Sequence, residues 1–127
     1  MTLNVMHVDD EPDIREVAAI ALELDPELVL TSVASGAEAL VRLADGARPD
    51  VMLLDVMMPV MDGPGVLARL RQMEGVGKTP VIFMTARAQS DEIERLKSLG
   101  AIGVVVKPFD PMTLARQLRD ILAADAG

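Results

Sequence analysis

The chain has 127 residues, half of them apolar, which is enough for the core of one domain and too short for a multidomain enzyme. Its 20 acidic residues against 12 basic ones give a formal net charge of -8, and that field disfavours nonspecific binding to nucleic acid or anionic membranes. With no cysteine and only Phe83 and Phe109 as aromatics, disulfides, thiolate chemistry, Cys-type metal sites and a base-stacking surface are excluded.

The start of the chain, through His7, has neither a basic cluster nor a long apolar run, so it does not read as a signal peptide. The most apolar later stretch, Val51 to Met61, is cut by Asp55 and Pro59 and falls short of the roughly 18 residues of a membrane span. A soluble, cytoplasmic protein without membrane association is expected.

The first apolar run, Leu3 to Val8, is nearly continuous, as suits a strand buried on both faces of a parallel sheet. A helical stripe follows in Ile14, Val17, Ala18, Ala21 and Leu24, with Pro12 near its start and Asp25-Pro26 at its end. The second strand is Leu28 to Val33. The next helix opens on the capping-box pattern Ser35-Gly36-Ala37-Glu38, carries Ala37, Leu40, Leu43 and Ala44, and closes at Gly46. The third strand, Val51 to Leu54, precedes a helix that begins at Asp62-Gly63-Pro64 and presents Val66, Leu67, Leu70 and Met73. The fourth, Val81 to Met84, precedes a helix from Ser90-Asp91 through Ile93, Leu96 and Leu99 to Gly100. The fifth, Ile102 to Val106, leads to a helix starting at Asp110-Pro111 with Leu114, Leu118, Ile121 and Leu122 on one side.

Five strand and helix units of this length predict a three-layer α/β sandwich, one parallel sheet with helices on both faces, as a single domain over residues 1–127. There are too few units for a TIM barrel. A site in such a sheet lies outside the carboxyl ends of its strands.

The residues at those ends are Asp9, Asp10 and Glu11 after the first strand, Asp55 after the third, Thr85 after the fourth and Lys107 after the fifth. Carboxylates at about 4 Å repel by roughly 4 kcal/mol at an effective dielectric of 20, so the cluster calls for a cation or a shared proton. Oxygen ligands with open water positions suit Mg²⁺. Lys107 adds a positive charge and Thr85 a hydroxyl donor, which together make a binding site for a phosphoryl group with a carboxylate as candidate nucleophile.

Val8-Asp9-Asp10-Glu11, the run Leu54 to Gly63 (LDVMMPVMDG), Met84-Thr85-Ala86 and Val106-Lys107-Pro108-Phe109 resemble, in order, the motifs of the CheY-like receiver domain of two-component response regulators. The resemblance covers Leu3 to Leu122. It implies a flavodoxin-like fold with strand order 2-1-3-4-5. It implies Asp55 as phosphoacceptor from a histidine kinase, a histidine phosphotransfer protein or a small donor such as acetyl phosphate. It also implies Mg²⁺ held by Asp10, Asp55 and the backbone carbonyl of Met57, with Asp9 acting through water. Lys107 would pair with the acceptor and then its phosphate, Thr85 would be the switch hydroxyl, the Ala86 amide would donate beside it, and Pro108 would follow a cis peptide. The implied output is a change of partner binding at the face of the fourth helix, fifth strand and fifth helix, toward an unknown output protein or effector domain. The domain itself would be no enzyme beyond assisting its own phosphorylation and dephosphorylation, and would not bind nucleic acid directly.

Two features depart from the family pattern. Val104, three residues before Lys107, stands where an aromatic is usual, so no ring can gate the switch there. Ile102 and Gly103 replace common paired acids of the charge-paired dimer, so a monomer or weak dimer is expected. His7 reads as a packed core imidazole rather than a phosphorelay histidine. Met57, Met58 and Met61 read as gap-fillers, or in the case of Met57 as a shield over the acyl phosphate, a role that Arg87 could share. The charged run Ser90 to Lys97 reads as a solvated helix face.

Two other function classes stay open at this level. One is a receiver-like module that binds partners without phosphorylation. The other is a Mg²⁺-dependent phosphatase with an aspartyl nucleophile, which expects a second acid where Met57 stands and a cap domain for which there is no room.

Overall fold

A computed structural model describes residues 2–126. Strands β1 (Leu3–Val8), β2 (Leu28–Val33), β3 (Val51–Asp55), β4 (Val81–Thr85) and β5 (Gly103–Val106) alternate with helices α1 (Pro12–Leu22), α2 (Gly36–Ala44), α3 (Gly63–Leu70), α4 (Ser90–Ser98) and α5 (Leu114–Ala126). The sheet order is β2-β1-β3-β4-β5 and every neighbouring pair is parallel. Five parallel strands place all five carboxyl ends on one edge, as the sequence predicts.

Alternation along each strand divides the core in two. Met6, Val8, Leu54 and Phe83 pack with Ala39 and Leu43 of α2, Val66, Leu67 and Leu70 of α3 and Leu96 of α4. On the other face Val5, Leu53, Ile82 and Val105 pack with Ala18, Ala21 and Leu22 of α1 and Leu114 and Leu118 of α5. The central β3 and β4 are buried throughout, whereas the edge strand β2 leaves Val29 half exposed.

Several helix faces differ from the sequence reading. On α1 the small Ala18 and Ala21 and the larger Leu22 face the sheet, while Val17 is exposed and Leu24 lies exposed beyond the helix end. On α2 the buried row is Gly36, Ala39 and Leu43, and Ala37 and Ala44 face solvent. Gly36 fixes that rotation, because a Cβ there would lie 2.5 Å from Val66 Cγ2 of α3. On α4 only Leu96 is fully buried, and Leu99 is exposed. α5 begins at Leu114 rather than Pro111, since Asp110 Oδ1 accepts from Met112 N at 2.9 Å and residues 111–113 form a turn. The caps fall where predicted: Ser35 Oγ accepts from Glu38 N, and Gly46 and Gly100 take positive φ just past α2 and α4. Among the described residues no helix is long and apolar enough to cross a membrane.

His7, on β1, is fully buried, as expected of a core imidazole. Burial holds its pKa down from 6.5 to about 4, against the opposing attraction of the Asp9 carboxylate. The unfolded chain takes up this proton near pH 6.5 and the folded chain only near pH 4, so the stability His7 permits at neutral pH is lost as pH falls through that window. Between about pH 7 and pH 5 the protein should lose about 2 kcal/mol more than a His7→Leu variant in urea unfolding with EDTA present. Parallel pH profiles for the two would refute this.

Candidate functional site

Asp9 and Asp10 follow β1, Asp55 ends β3, Thr85 ends β4 and Lys107 follows β5, so adjacent strand ends bring residues from four parts of the chain together. One carboxylate oxygen from each of Asp9, Asp10 and Asp55 lies within 4.8 Å of the others. The Lys107 ammonium donates to Asp55 Oδ1 at 2.9 Å and to Asp9 Oδ2 at 3.3 Å, bridging the two buried acids. Thr85 is buried beside this group, one strand across from Asp55, which is paired in register with Met84.

Local structure holds each member in place. Asp9 Oδ1 accepts from Glu11 N at 3.0 Å, and Arg15 Nη1 of α1 donates to the Asp9 carbonyl at 2.7 Å. The end of β3 is pressed against the start of α3: Gly63 N donates to Val56 O, and a Cβ on Gly63 would sit 2.5 Å from Asp55 O and 3.0 Å from Val56 Cα. Asp62 caps α3 there by accepting from Gly65 N at 2.8 Å. Thr85 Oγ1 accepts from Arg87 N at 3.1 Å, and Lys107 N donates to Thr85 O at 2.8 Å. The Lys107-Pro108 peptide is cis, as the motif implies.

Charge and burial oppose one another at the centre. Burial pushes the Asp55 carboxyl above the usual range. The Lys107 hydrogen bond and charge pull it down, while the neighbouring charges of Asp9 and Asp10 add to the rise. Burial alone would lower Lys107, but its hydrogen bond to Asp55 and the charges of Asp55 and Asp9 hold it above its ordinary value. The ammonium is thus firmly charged, and the acidic trio carries more negative charge than one lysine offsets.

Asp9, Asp10, Asp55 and Lys107 therefore meet, with Thr85 and the exposed Ala86 at the next strand end. Met57, two residues beyond Asp55, is 73% exposed, whereas Met58 is buried in the core as a gap-filler. Arg87 is exposed and lines an open cavity of about 340 Å³ with Gln89, Asp91, Glu92 and Arg95. Val104 is half-buried and packs against the α2, α3 and α4 side of the core. Arg15 was not singled out by the sequence; its signal is the four-residue spacing from Glu11, which turns it back toward the strand end.

The loop after β3 holds a second feature invisible to pattern. Met61 N donates to Pro59 O at 2.8 Å, closing a three-residue turn around Val60, whose φ is 69°. A β-branched residue in the left-handed region is strained, and Val60 buries nothing in return because it is fully exposed. Val60→Gly should raise stability by about 1 kcal/mol in urea unfolding. In contrast, Gly63→Ala should lower it by about 2 kcal/mol, because the added methyl meets backbone. The opposite sign for either would contradict the backbone geometry described.

Residues 5–119 match the response regulator receiver domain family. The transcriptional regulatory protein CseB of Streptomyces coelicolor is 38% identical over 120 residues, which cover 94% of this chain and 49% of that protein. The positive alginate biosynthesis regulatory protein of Pseudomonas aeruginosa is 40% identical over 118 residues, covering 92% of this chain and 46% of that protein. The chain spans about half the length of these curated relatives. The chemotaxis response regulator CheY4 of Vibrio cholerae superposes with a TM-score of 0.85 at 34% identity, over 95% of this chain and 99% of that one. With its strand order, its acidic edge and its lysine in one frame, the chain belongs to the response regulator receiver domain family.

Proposed function

We propose that Asp55 accepts a phosphoryl group from a histidine kinase, a histidine phosphotransfer protein or a small donor such as acetyl phosphate, and that the modification changes which partner the domain binds. The observation that carries this reading is the Lys107 ammonium held 2.9 Å from a buried carboxylate inside a three-acid cluster. In the transfer an Asp55 oxygen forms the new P–O bond as the donor's P–N or P–O bond breaks, so positioning and charge neutralisation are the main requirements.

The donor set fits Mg²⁺: three carboxylates with oxygens within 4.8 Å, no sulfur ligand, and more negative charge than Lys107 balances. Asp10, Asp55 and the Met57 carbonyl would hold the ion, with Asp9 acting through water. When bound, Mg²⁺ supplies neutralisation of the phosphoryl oxygens. The remaining work belongs to the chain. Lys107 follows its carboxylate's charge onto the phosphoryl group. The Thr85 hydroxyl, now accepting from Arg87 N, still has its proton to donate to a phosphoryl oxygen, and the Ala86 amide donates beside it.

Met57, two residues beyond Asp55, and Arg87, two beyond Thr85, are both exposed and control the access of water to the acyl phosphate. The kinase or phosphotransfer protein is the input partner, and the domain acts as a monomer or weak dimer in the cytoplasm without contacting nucleic acid itself. The names of the relatives make control of transcription the readiest output class. A phosphatase of the aspartyl-nucleophile type is disfavoured by Met57 at the position where such enzymes carry a second acid.

Incubation with acetyl phosphate and Mg²⁺ should add the mass of one phosphoryl group, labile to hydroxylamine and absent from Asp55→Ala. An adduct that persists in Asp55→Ala, or none in either protein, would overturn the assignment. Met57→Asn should shorten the lifetime of the adduct and Arg87→Glu should alter it; unchanged lifetimes would remove both from the site.

A further inference from the structure

The buried part of β1, Val5 to Val8, is apolar except at His7, where a polar ring occupies a position that an aliphatic residue could fill. The ring is wholly buried, and neither nitrogen has a hydrogen-bond partner among the described residues. A neutral imidazole always carries one N–H donor, and a donor cut off from water and from any acceptor is unfavourable. An acceptor stands just out of reach: Nε2 is 3.8 Å from Asp9 Oδ2, about 1 Å beyond bonding distance.

That oxygen is engaged for the moment by Lys107, at 3.3 Å, while the other oxygen of Asp9 accepts from Glu11 N. Lys107 is shared between Asp9 and Asp55, and its shorter contact is to Asp55. Once a phosphoryl group on Asp55 draws the ammonium away, Asp9 Oδ2 loses the side-chain donor it has among the described residues, while the His7 ring beside it has no acceptor.

We infer that His7 is a positioning residue for Asp9: when Lys107 moves to the phosphoryl group, the His7 Nε2–H closes onto Asp9 Oδ2 and keeps that carboxylate aimed at the cation site. The inference rests on the phosphoacceptor reading of Asp55. It assigns His7 no contact with the reacting atoms. A hydrogen bond to a group in the outer shell of a metal site commonly changes metal affinity by about tenfold or more.

The test uses Mg²⁺ and the phosphoryl mimic beryllofluoride on the wild type, His7→Leu and His7→Gln, the last keeping an amide donor near the place of Nε2. Without the mimic, the three should bind Mg²⁺ alike, because Lys107 holds Asp9. With it, His7→Leu should bind Mg²⁺ about tenfold more weakly than wild type, and His7→Gln should recover most of the loss. In the wild type, the imidazole nitrogen resonances should move to hydrogen-bonded values when the mimic binds. Equal affinities in all three, a loss that His7→Gln does not recover, or His7 resonances indifferent to the mimic would overturn the inference while leaving Asp55 as acceptor. Failure of the wild type to bind Mg²⁺ or the mimic would remove the phosphoacceptor reading and this inference together. Should His7→Leu fail to fold, the wild-type resonances decide alone.

Discussion

The Lys107 ammonium bridging Asp55 and Asp9 is the interaction on which the rest of the edge depends. Two buried carboxylates and a third nearby would repel strongly in a medium of low polarity, and removing one partner from a buried charged set is far more costly than forming the set gains. The lysine makes the cluster tolerable without satisfying it. This leaves a residual negative field and a displaceable cation, the combination a site needs to receive a group that brings its own negative charge.

The scaffold converts that electrostatic demand into geometry through a parallel sheet and a few close approaches. Strand alternation continues from Val5 to His7 and Asp9, from Leu53 to Asp55 and from Val105 to Lys107, so the three charged groups extend the face that packs on α1 and α5. Thr85 continues the opposite alternation from Phe83, toward α3 and α4. Gly63 lets the start of α3 press on the end of β3, and Gly36 does the same between α2 and α3. Asp55 and Thr85 therefore end the most buried strands of the molecule, while the segments that could respond to them are loops.

Much of this was legible in the sequence because strand runs, turn residues and charged strand ends are local signals. Ser35, Asp62, Gly46 and Gly100 marked helix ends by their own chemistry, and Asp9, Asp10, Asp55, Thr85 and Lys107 stood out as polar residues ending apolar runs. The faces of α1 and α2 were not legible, because alanine fits either a close-packed interface or solvent, and the choice was made by Gly36 against Val66 across the sequence. The start of α5 was displaced because the Asp110 side chain served a turn rather than a helix cap. His7 was correctly read as buried, and alternation puts it on the face of Asp9, but the 3.8 Å that separates Nε2 from Asp9 Oδ2 is set by side-chain placement that no local pattern encodes. The positive φ of Val60 contradicts its own residue preference and could not have been read at all.

The absence of an aromatic at Val104 constrains how a change at Asp55 could travel. Val104 is half-buried against the α2, α3 and α4 core and has no ring to rotate, so the swing of an aromatic ring at this position is not the carrier. What does connect the neighbourhood of Asp55 to the surface is backbone: Thr85 Oγ1 is bonded to Arg87 N, and Thr85 O to Lys107 N. On the proposed phosphorylation, drawing the Thr85 hydroxyl toward Asp55 pulls the first residues of the loop to α4 through the Arg87 amide, and Lys107 moves at the other end of the same pairing. The shift extends only as far as the phosphoryl group binds one arrangement of this loop better than the other. A loop with few buried apolar contacts is the part of the molecule that such a modest difference can move: Ala86, Arg87, Ala88 and Gln89 are all exposed, and α4 itself buries only Leu96.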